Sequence, residues 1–563
     1  MRRSISSFTS TTYDLIVVGG GIFGICATWD AALRGLSVAL LERGDFAHAT
    51  SANCFKIVHG GIRYLQHSDF SRVRESVKEL NTLLRIAPHQ VYPLPFVVPT
   101  YGYGMQGKLV LKAGQLLYNL ITFDRNLGII DPHRKIPSGY AISRRDCLEL
   151  FPGLSGNSLT GAVIFYDGQM HNPARLALAY LKSAVDAGAN AGNYIEVKDF
   201  LRRGESIAGV EAEDKMTGEK AEIFGKVVLN ATGPWAEGMI KLQMGLQQTP
   251  DLCYTRDAFI VIDKPLGKKY AIAVLGRGKD PAASFSRGRR HLFVIPWRGY
   301  TLVGIWHSVY RGEPNEFTVS EKDLQWFVDE INEAYPPISL SLNDISTWNA
   351  GIVPSGDNEY GATNLTYAKR SLIIDHAKEH NIEGLLTVIG IRYTTSRQVA
   401  ERVVDLVFRK LGKEPPRCET AVTPIYGGQI EDFEEFVSNA LKNGKHGLSP
   451  EIIRALVHNH GSQYHDVMKY IEDDPTLAGS VGTSTVTKAE ILHAAREEMA
   501  QKLGDVVLRR TDLGGAGYPG ECEIKVCAEL MAKELEWDDR RIRNEIDEVN
   551  SAFSLLNLRV PRA

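Results

Sequence analysis

The sequence predicts an α/β fold with an α+β insert and a helical C-terminal region, and three observations predict it. An apolar run at residues 15–18 is followed at once by glycines at 19, 21 and 24, and then by a stretch free of Pro and Gly at 25–33. Residues of about 250–355 alternate strand-like runs with turns, which indicates an antiparallel sheet. From Cys418 onward the sequence is charged and helix-forming.

The N-terminal strand, turn and helix carry the pattern G-x-G-x-x-G, in which each glycine has a physical role. The first makes the tight turn, the second lets the backbone approach a pyrophosphate, and the third allows close helix–strand packing. The N-terminus of the helix would direct its N–H groups at the phosphates. A second apolar strand at 37–42 ends in Glu42, where an acid about 20 residues after the glycines accepts the ribose hydroxyl. We therefore predict a Rossmann-like dinucleotide-binding domain.

Composition limits the class of protein. A chain of 563 residues is too long for one ordinary core, so we expect two or three domains. The net charge of −3 offers no basic surface of the kind that nucleic acid binding needs. The seven cysteines contain no C-x-x-C pair, which favours a reducing, cytoplasmic compartment and argues against a disulfide framework or a metal site. We expect no metal.

The chain is predicted to divide into three parts. Residues 1–12 read as a flexible tail, with a short organelle-targeting segment as the alternative. Residues 13–417 form the dinucleotide-binding domain interleaved with a sheet that lies mainly in 85–160 and 250–355, and residues 418–563 form an α-helical domain. Residues 109–123 are interpreted as a core helix, with a helix on a membrane surface as the alternative. No apolar run reaches the ~18 residues of a membrane-spanning helix.

Several further motifs point to one family. They are Ala49-Thr-Ser51, Lys56-Ile-Val-His-Gly-Gly-Ile-Arg-Tyr-Leu65, Asn230-Ala-Thr-Gly-Pro-Trp235, Val294-Ile-Pro-Trp297, Thr394-Thr-x-Arg397 and Arg509-Arg-Thr511. Together with the glycine motif they resemble the FAD-dependent glycerol-3-phosphate dehydrogenase family, in the glycine oxidase/D-amino-acid oxidase group of flavoproteins.

This resemblance implies that the cofactor is FAD and that a secondary alcohol is oxidised by hydride transfer to flavin N5. The substrate implied is sn-glycerol 3-phosphate, oxidised to dihydroxyacetone phosphate, or a related phosphorylated polyol. Electrons would pass to quinone or to dioxygen, a choice that the sequence leaves open. Peripheral contact with the inner face of a membrane and a homodimer are also left open.

The resemblance also assigns residues to the site. The implied FAD contacts are Gly19, Gly21, Ile22, Phe23, Gly24, Glu42, Arg43, Thr50, Ser51, Ala231, Thr232, Gly233, Trp235, Gly390, Arg392, Tyr393, Thr394 and Thr395. The implied substrate contacts are Lys56, Arg63, Tyr64, Arg392 and Thr394. In catalysis, Arg63 and Arg392 would hold the anionic end and polarise the oxygen, while His59 and His307 are alternative bases.

Three departures from the family pattern bear on the substrate. Gly351-Ile-Val-Pro354 has Val353 where the family has an arginine, and Arg392 stands where the family has a lysine. Gly304-Ile-Trp-His307 replaces Gly-Thr-Thr-Asp, so Trp306 and His307 would form a flatter, more aromatic pocket. Losing a bidentate arginine weakens phosphate binding unless another cation, such as Arg256 or those at 287–290, compensates. Two alternatives therefore stay open: oxidation of a different alcohol or amine, and a non-catalytic FAD-fold binding protein.

Overall fold

The computed structural model describes residues 1–556 except 2, 103–106, 155–157, 245–252, 268, 280–288, 356–367, 369 and 445–446. Within the described residues, the strands are β1 Tyr13–Val18, β2 Val38–Leu41, β3 Ile57–Val58, β4 Val91–Tyr101, β5 Tyr140–Ser143, β6 Leu159–Met170, β7 Asn190–Gly192, β8 Ile195–Arg203, β9 Ser206–Asp214, β10 Lys220–Asn230, β11 Tyr254–Ile262, β12 Ala271–Lys279, β13 Arg289–Trp297, β14 Tyr300–Tyr310, β15 Ile345–Pro354, β16 Leu372–Asp375 and β17 Leu385–Ile389.

The α-helices of the same residues are α1 Ile22–Leu33, α2 Phe70–Ile86, α3 Lys108–Ile121, α4 Arg144–Leu150, α5 Pro173–Asp186, α6 Ala236–Met244, α7 Glu321–Ala334, α8 His376–His380, α9 Ser396–Lys410, α10 Phe433–Lys442, α11 Pro450–His460, α12 Tyr464–Asp473, α13 Lys488–Glu497, α14 Leu503–Asp505, α15 Glu521–Leu535 and α16 Asp539–Leu556. These elements confirm the predicted fold class, a mixed α/β structure with a helical C-terminal region.

The first sheet has the order β16-β17-β10-β1-β2-β7, and the hairpin β8–β9 extends from β10. Strand β1 pairs in parallel with both β10 and β2, and β17 pairs in parallel with β10. The interior of β1 is fully buried, as its run of apolar residues predicts. Because parallel strands end at the same edge, the turns after β1, β10 and β17 meet there, and ligands bind at such an edge.

The second sheet has the order β15-β11-β14-β13-β12-β4-β6-β3, with β5 paired to β6. Its pairings are antiparallel except that β12 runs parallel to β4. One face packs on α7 through a cluster that includes Trp306, Phe327 and Ile331. The other face carries Phe259 and Leu302 in a second cluster, on which Phe55 packs from the segment before β3. The predicted antiparallel insert is therefore present.

The helical C-terminal region is attached to the first sheet's side of the molecule by buried ion pairs. Both guanidinium nitrogens Nη1 and Nη2 of Arg510 donate to Asp45, at 2.7 and 2.6 Å, and Arg509 Nε donates to the same carboxylate at 2.5 Å. These two arginines lie on a π-helical turn, Val506–Arg510. Arg175 on α5 donates to Glu498 at 2.6 Å. The two arginines hold the pKa of Asp45 well below its ordinary value, against the opposing effect of burial.

Replacing Arg510 by alanine is expected to lower the free energy of unfolding by about 3–5 kcal/mol, because it leaves Asp45 charged and partly unpaired in the interior. Chemical denaturation followed by circular dichroism measures the change. The control is Arg145→Ala, which removes an arginine from a solvent-exposed ion pair with Glu149 and should cost at most about 1 kcal/mol. Equal losses in the two variants would contradict the assigned importance of the buried pair.

Two predictions from the sequence are wrong. The N-terminal segment is not a flexible tail, because Ile5 and Phe8 are buried in a 3₁₀ helix and Arg3 pairs with Asp214. Helix α3 is not a core helix, because it buries Gln115 and Tyr118 and leaves much of its apolar surface exposed. Its exposed large apolar side chains are Leu109, Val110, Leu116, Leu117 and Leu120. Across the described residues, we find no helix with the length and apolarity needed to cross a membrane.

Candidate active site

A cavity of about 570 Å³ lies where the turns after β1, β10 and β17 meet the inner face of the second sheet. Every predicted FAD residue lines this cavity except Gly24 and Thr395. Residues as distant in sequence as Gly19 and Thr394 therefore share one wall. The volume is within the usual range of roughly 300–1,000 Å³ for small-molecule sites.

The glycine turn lets the backbone pack closely around the N-terminus of α1. Gly19 has φ of +108°, and a Cβ there would lie 2.7 Å from the carbonyl oxygen of Ala231. A Cβ on Gly24 would overlap the carbonyl oxygen of Gly19, so this glycine lets α1 pack directly on the turn. Gly21 is the N-cap of α1, and Ser51 Oγ accepts the Ile22 N–H at 3.0 Å. This end of the cavity fits a pyrophosphate.

Beside the glycine turn, the cavity is closed by side chains from three segments. Glu42, at the end of β2, accepts the Gly20 N–H at 2.6 Å and the Gly44 N–H at 2.8 Å. The Arg43 guanidinium lies 4.6 Å from the Trp235 ring centre, and both side chains donate to Asn315 Oδ1, at 3.3 and 2.7 Å. Sequence reasoning missed Asn315, which is contributed by the loop between β14 and α7 and carries no local motif.

The opposite end holds a histidine–aspartate pair. His59 lines the cavity with its side chain 46% exposed, and its Nδ1 lies 3.2 Å from Asp167 Oδ2. The other carboxylate oxygen accepts the Gly60 N–H at 2.8 Å, while Thr394 Oγ1 accepts the His59 N–H at 3.1 Å. Asp167 thus orients His59 in the manner of a base and its carboxylate partner. Sequence reasoning missed this role, although an acid within an apolar strand is a usable signal.

Arg392 lines the same end of the cavity and is held from behind. Its Nη2 donates to Glu75 at 3.0 Å, and its Nη1 donates to Tyr64 Oη and Ser76 Oγ, each at 3.2 Å. The guanidinium also lies 5.1 Å from the Tyr64 ring centre. Tyr64 itself does not border the cavity among the described residues, so its contact with the cavity is through Arg392.

Other predicted residues lie outside the cavity wall that the described residues form. Arg63 is exposed, and its charge adds to burial in lowering the pKa of His291 to about 4. His307 Nδ1 lies 2.7 Å from Asp257 Oδ1, and it is Asp257, not His307, that borders the cavity. The structure therefore places His59, Arg392 and Thr394 in the cavity wall, and Arg63 and His307 outside that wall.

The expected aromatic pocket is not formed by Trp306. Its ring is stacked on Phe327 of α7, 6.3 Å between centres, on the opposite face of the second sheet. Arg256 also faces that side, where it pairs with Asp323 at 3.0 Å and lies 4.7 Å from the Trp306 ring. Arg287 lies outside the described residues. Val353 does border the cavity, so an apolar side chain occupies that part of the wall.

Lys56 is buried behind the cavity rather than in its wall. Its Nζ lies 4.6 Å from the Phe259 ring centre and 4.8 Å from that of Trp297, and the whole residue is only 4% exposed. Burial lowers its pKa to about 8 from an ordinary 10.5. The two aromatic faces partly offset that cost by a cation–π attraction.

The titration of Lys56 predicts a pH-dependent stability. Between about pH 8 and 10.5 the unfolded chain keeps a proton that the folded protein has lost. The contribution of Lys56 to the free energy of unfolding therefore rises with pH across this window. We expect the stability of Lys56→Met relative to the wild-type protein to fall by on the order of 2 kcal/mol between pH 8 and pH 10. Urea titrations at both pH values measure it, and a pH-independent difference would refute the assignment.

Comparison with known proteins gives consistent matches over most of the chain. Residues 14–393 match the family described as FAD dependent oxidoreductase, and residues 418–542 match the C-terminal domain of alpha-glycerophosphate oxidase. Glycerol-3-phosphate dehydrogenase of Synechocystis sp. is 31% identical over 540 residues, covering 92% of this chain and 94% of that protein. The mitochondrial glycerol-3-phosphate dehydrogenase of Homo sapiens is 28% identical, covering 96% of this chain and 72% of that protein.

Among solved structures, glycerol-3-phosphate dehydrogenase from Bacillus halodurans, determined as a complex with FAD, superposes with a TM-score of 0.77. The match is 24% identical in sequence and covers 98% of this chain and 96% of that one. At this level of sequence identity, the structural similarity is evidence for a shared fold.

Proposed function

This chain belongs to the family of FAD-dependent oxidoreductases, and from that premise we propose that it oxidises sn-glycerol 3-phosphate, or a related phosphorylated polyol, to the ketone. Two relatives with this activity in their names match over more than nine-tenths of the chain. The observation that carries the proposal is the pairing of a cation and a base at one end of the cavity: Arg392 and His59, both next to Thr394.

The side chains of the site have different roles in this reaction. A secondary alcohol becomes a ketone by losing its hydroxyl proton together with the hydrogen and electron pair of the adjacent carbon. Arg392 presents a guanidinium fork that matches a phosphate group, which fixes the orientation of the substrate. His59 receives the hydroxyl proton at Nε2 while Asp167 accepts from Nδ1–H, which holds the ring in that tautomer. Bound FAD supplies the two-electron acceptor.

Anaerobic reduction of the flavin tests the proposal. The FAD-loaded protein is mixed with sn-glycerol 3-phosphate, and the absorbance of oxidised flavin is followed. We expect bleaching at millimolar substrate, and none with sn-glycerol 1-phosphate, since one oriented site distinguishes the two enantiomers. Retention of full absorbance with the first compound would exclude it as the substrate and leave the FAD-dependent class intact.

A different alcohol or an amine is the second candidate, and the position of Val353 favours it. With Phe259 and Ile305, Val353 makes part of the cavity wall apolar. An uncharged substrate group would be accommodated there at lower desolvation cost than a phosphate. The same bleaching assay with unphosphorylated polyols and amino acids decides between the two, because only the correct class bleaches the flavin.

We propose that the protein acts at a lipid surface, which it contacts through α3, and that its electron acceptor is quinone or dioxygen. Its exposed leucines, with Phe123 beyond its end, form an apolar surface flanked by Lys108 and Lys112. Amphipathic helices of this composition lie in the interface of anionic membranes. We expect the protein to sediment with anionic vesicles and Leu116→Ser/Leu120→Ser to remain in the supernatant. Equal sedimentation of the two proteins would refute the role of α3.

The electron acceptor is identified by a separate measurement, the rates at which dioxygen and a soluble quinone reoxidise the reduced flavin.

A further inference from the structure

A second cavity, of about 390 Å³, lies between α2 and α9 and is separate from the FAD cavity. Most of its lining side chains are cationic. They are Arg72, Arg74, Lys78, Arg370 and Arg402, joined by Ser71, Glu75 and Gln398. We call this the basic cavity. The net charge of the whole chain is −3, so a concentration of five cations around one small space is a local feature and not a reflection of composition.

Only part of this charge is neutralised by the protein. Arg72 pairs with Asp69 at 2.7 Å, and Arg74 pairs with Asp124. Among the described residues, no carboxylate forms an ion pair with Lys78, Arg370 or Arg402. The other four cations are exposed while Arg72 is buried, so water and salt screen their mutual repulsion in part, and an anion bound among them relieves the rest.

We propose that the basic cavity binds a phosphate-bearing anion. Arginines and a lysine provide both the forked geometry and the point charge that phosphate oxygens accept. The anion has two potential sources, a free phosphorylated metabolite and the headgroup of a phospholipid. The second is available because Arg74 also donates to the carbonyl of Ile121, at the end of α3 where Leu120 and Phe123 are exposed.

Glu75 connects the basic cavity to the proposed active site. Its carboxylate lines the basic cavity and also accepts from Arg392, which lines the FAD cavity. The cations around the basic cavity also attract the carboxylate of Glu75, although its ion pair is with Arg392. A bound anion neutralises them and leaves Glu75 more firmly paired with Arg392, which is then less available to a substrate phosphate. This coupling rests on the proposed function and should raise KM for sn-glycerol 3-phosphate about 5-fold with kcat unchanged.

Isothermal titration of the FAD-loaded protein with inorganic pyrophosphate tests binding without any substrate. The variant is Arg370→Ala/Arg402→Ala, and the matched control is Arg144→Ala/Arg145→Ala, which removes the same charge from exposed positions on α4. We expect at least a 10-fold loss of affinity in the first and less than a 2-fold change in the control. Identical affinities in all three proteins, or no heat of binding in the wild-type protein, would overturn the proposal. Flavin absorbance and melting temperature verify that each variant folds.

Vesicles distinguish the two sources of phosphate. If the ligand is a headgroup, the wild-type protein should float with phosphatidylglycerol vesicles and not with phosphatidylcholine vesicles, pyrophosphate should release it, and Arg370→Ala/Arg402→Ala should not float. If the ligand is a free metabolite, pyrophosphate should bind as above and leave flotation unchanged in all proteins. Pyrophosphate binding with no change in KM would overturn the coupling through Glu75 while leaving the site in place.

Discussion

Replacing Arg392 by alanine is expected to lower kcat/KM for sn-glycerol 3-phosphate by about 10²- to 10³-fold. Hydrogen bonds to charged groups contribute roughly 1.5–3 kcal/mol each, and two of them to one phosphate account for a loss of this size. Among the described residues that border the cavity, the other arginine is Arg43, which is held at the opposite end by Trp235 and Asn315. The effect should fall mainly on KM, since the interaction is with the phosphate and not with the reacting carbon.

Two further variants refine the interpretation of Arg392. Arg392→Lys keeps the charge and loses the fork, so we expect an intermediate loss. Glu75→Gln removes the carboxylate that competes with the substrate phosphate for Arg392, so we expect it to lower KM. Arg409→Ala, at the end of α9 and distant in the helix from the cavity, is the control and should change nothing. Wild-type kinetics in Arg392→Ala would remove the main support for a phosphorylated substrate.

Replacing His59 by asparagine should lower kcat by about 10²- to 10⁴-fold, the usual contribution of a positioned base. Asp167→Asn should lower it less, because the ring remains and only its tautomer and orientation are disturbed. The measurement is the rate of flavin reduction in a single turnover, which isolates the chemical step from reoxidation.

His307 is the matched comparison for this prediction. It also pairs with an aspartate, Asp257, but it lies behind that residue and not in the cavity wall. We expect His307→Asn to keep the rate of flavin reduction within a few fold of wild type. If His307→Asn slows flavin reduction more than His59→Asn does, His307 and not His59 would be the base.

Local patterns were sufficient to predict the first sheet's binding edge. The run before Gly19, the acid at Glu42 and the turn after Asn230 all lie at this edge, as their local patterns predict, because strand burial and glycine turns are local properties. The residues that orient the site were not predictable in this way. Asp167 meets His59 from 108 residues away, and Glu75 meets Arg392 from 317 residues away.

The errors have equally specific physical causes. Neighbouring residues of a strand face opposite sides, so Trp306 and His307 could not both line one cavity, and the sequence does not state which side α7 covers. In α3, an apolar composition predicted burial, but burial depends on whether another element covers the helix, and here the outer side is left uncovered.

The ion pairs between Asp45 and the C-terminal arginines also set an order of events during synthesis. Asp45 belongs to the loop that brings Arg43, Thr50 and Ser51 to the FAD cavity, yet its partner Arg510 follows 465 residues later. At roughly 5–20 residues per second, ribosomes need roughly half a minute to a minute and a half to cover that distance. Throughout this interval the loop has no counter-charge for its aspartate. A loop that lines the FAD cavity therefore gains its buried counter-charge only when the chain is almost complete, and we expect fragments that end before Arg509 to bind FAD more weakly than the whole chain.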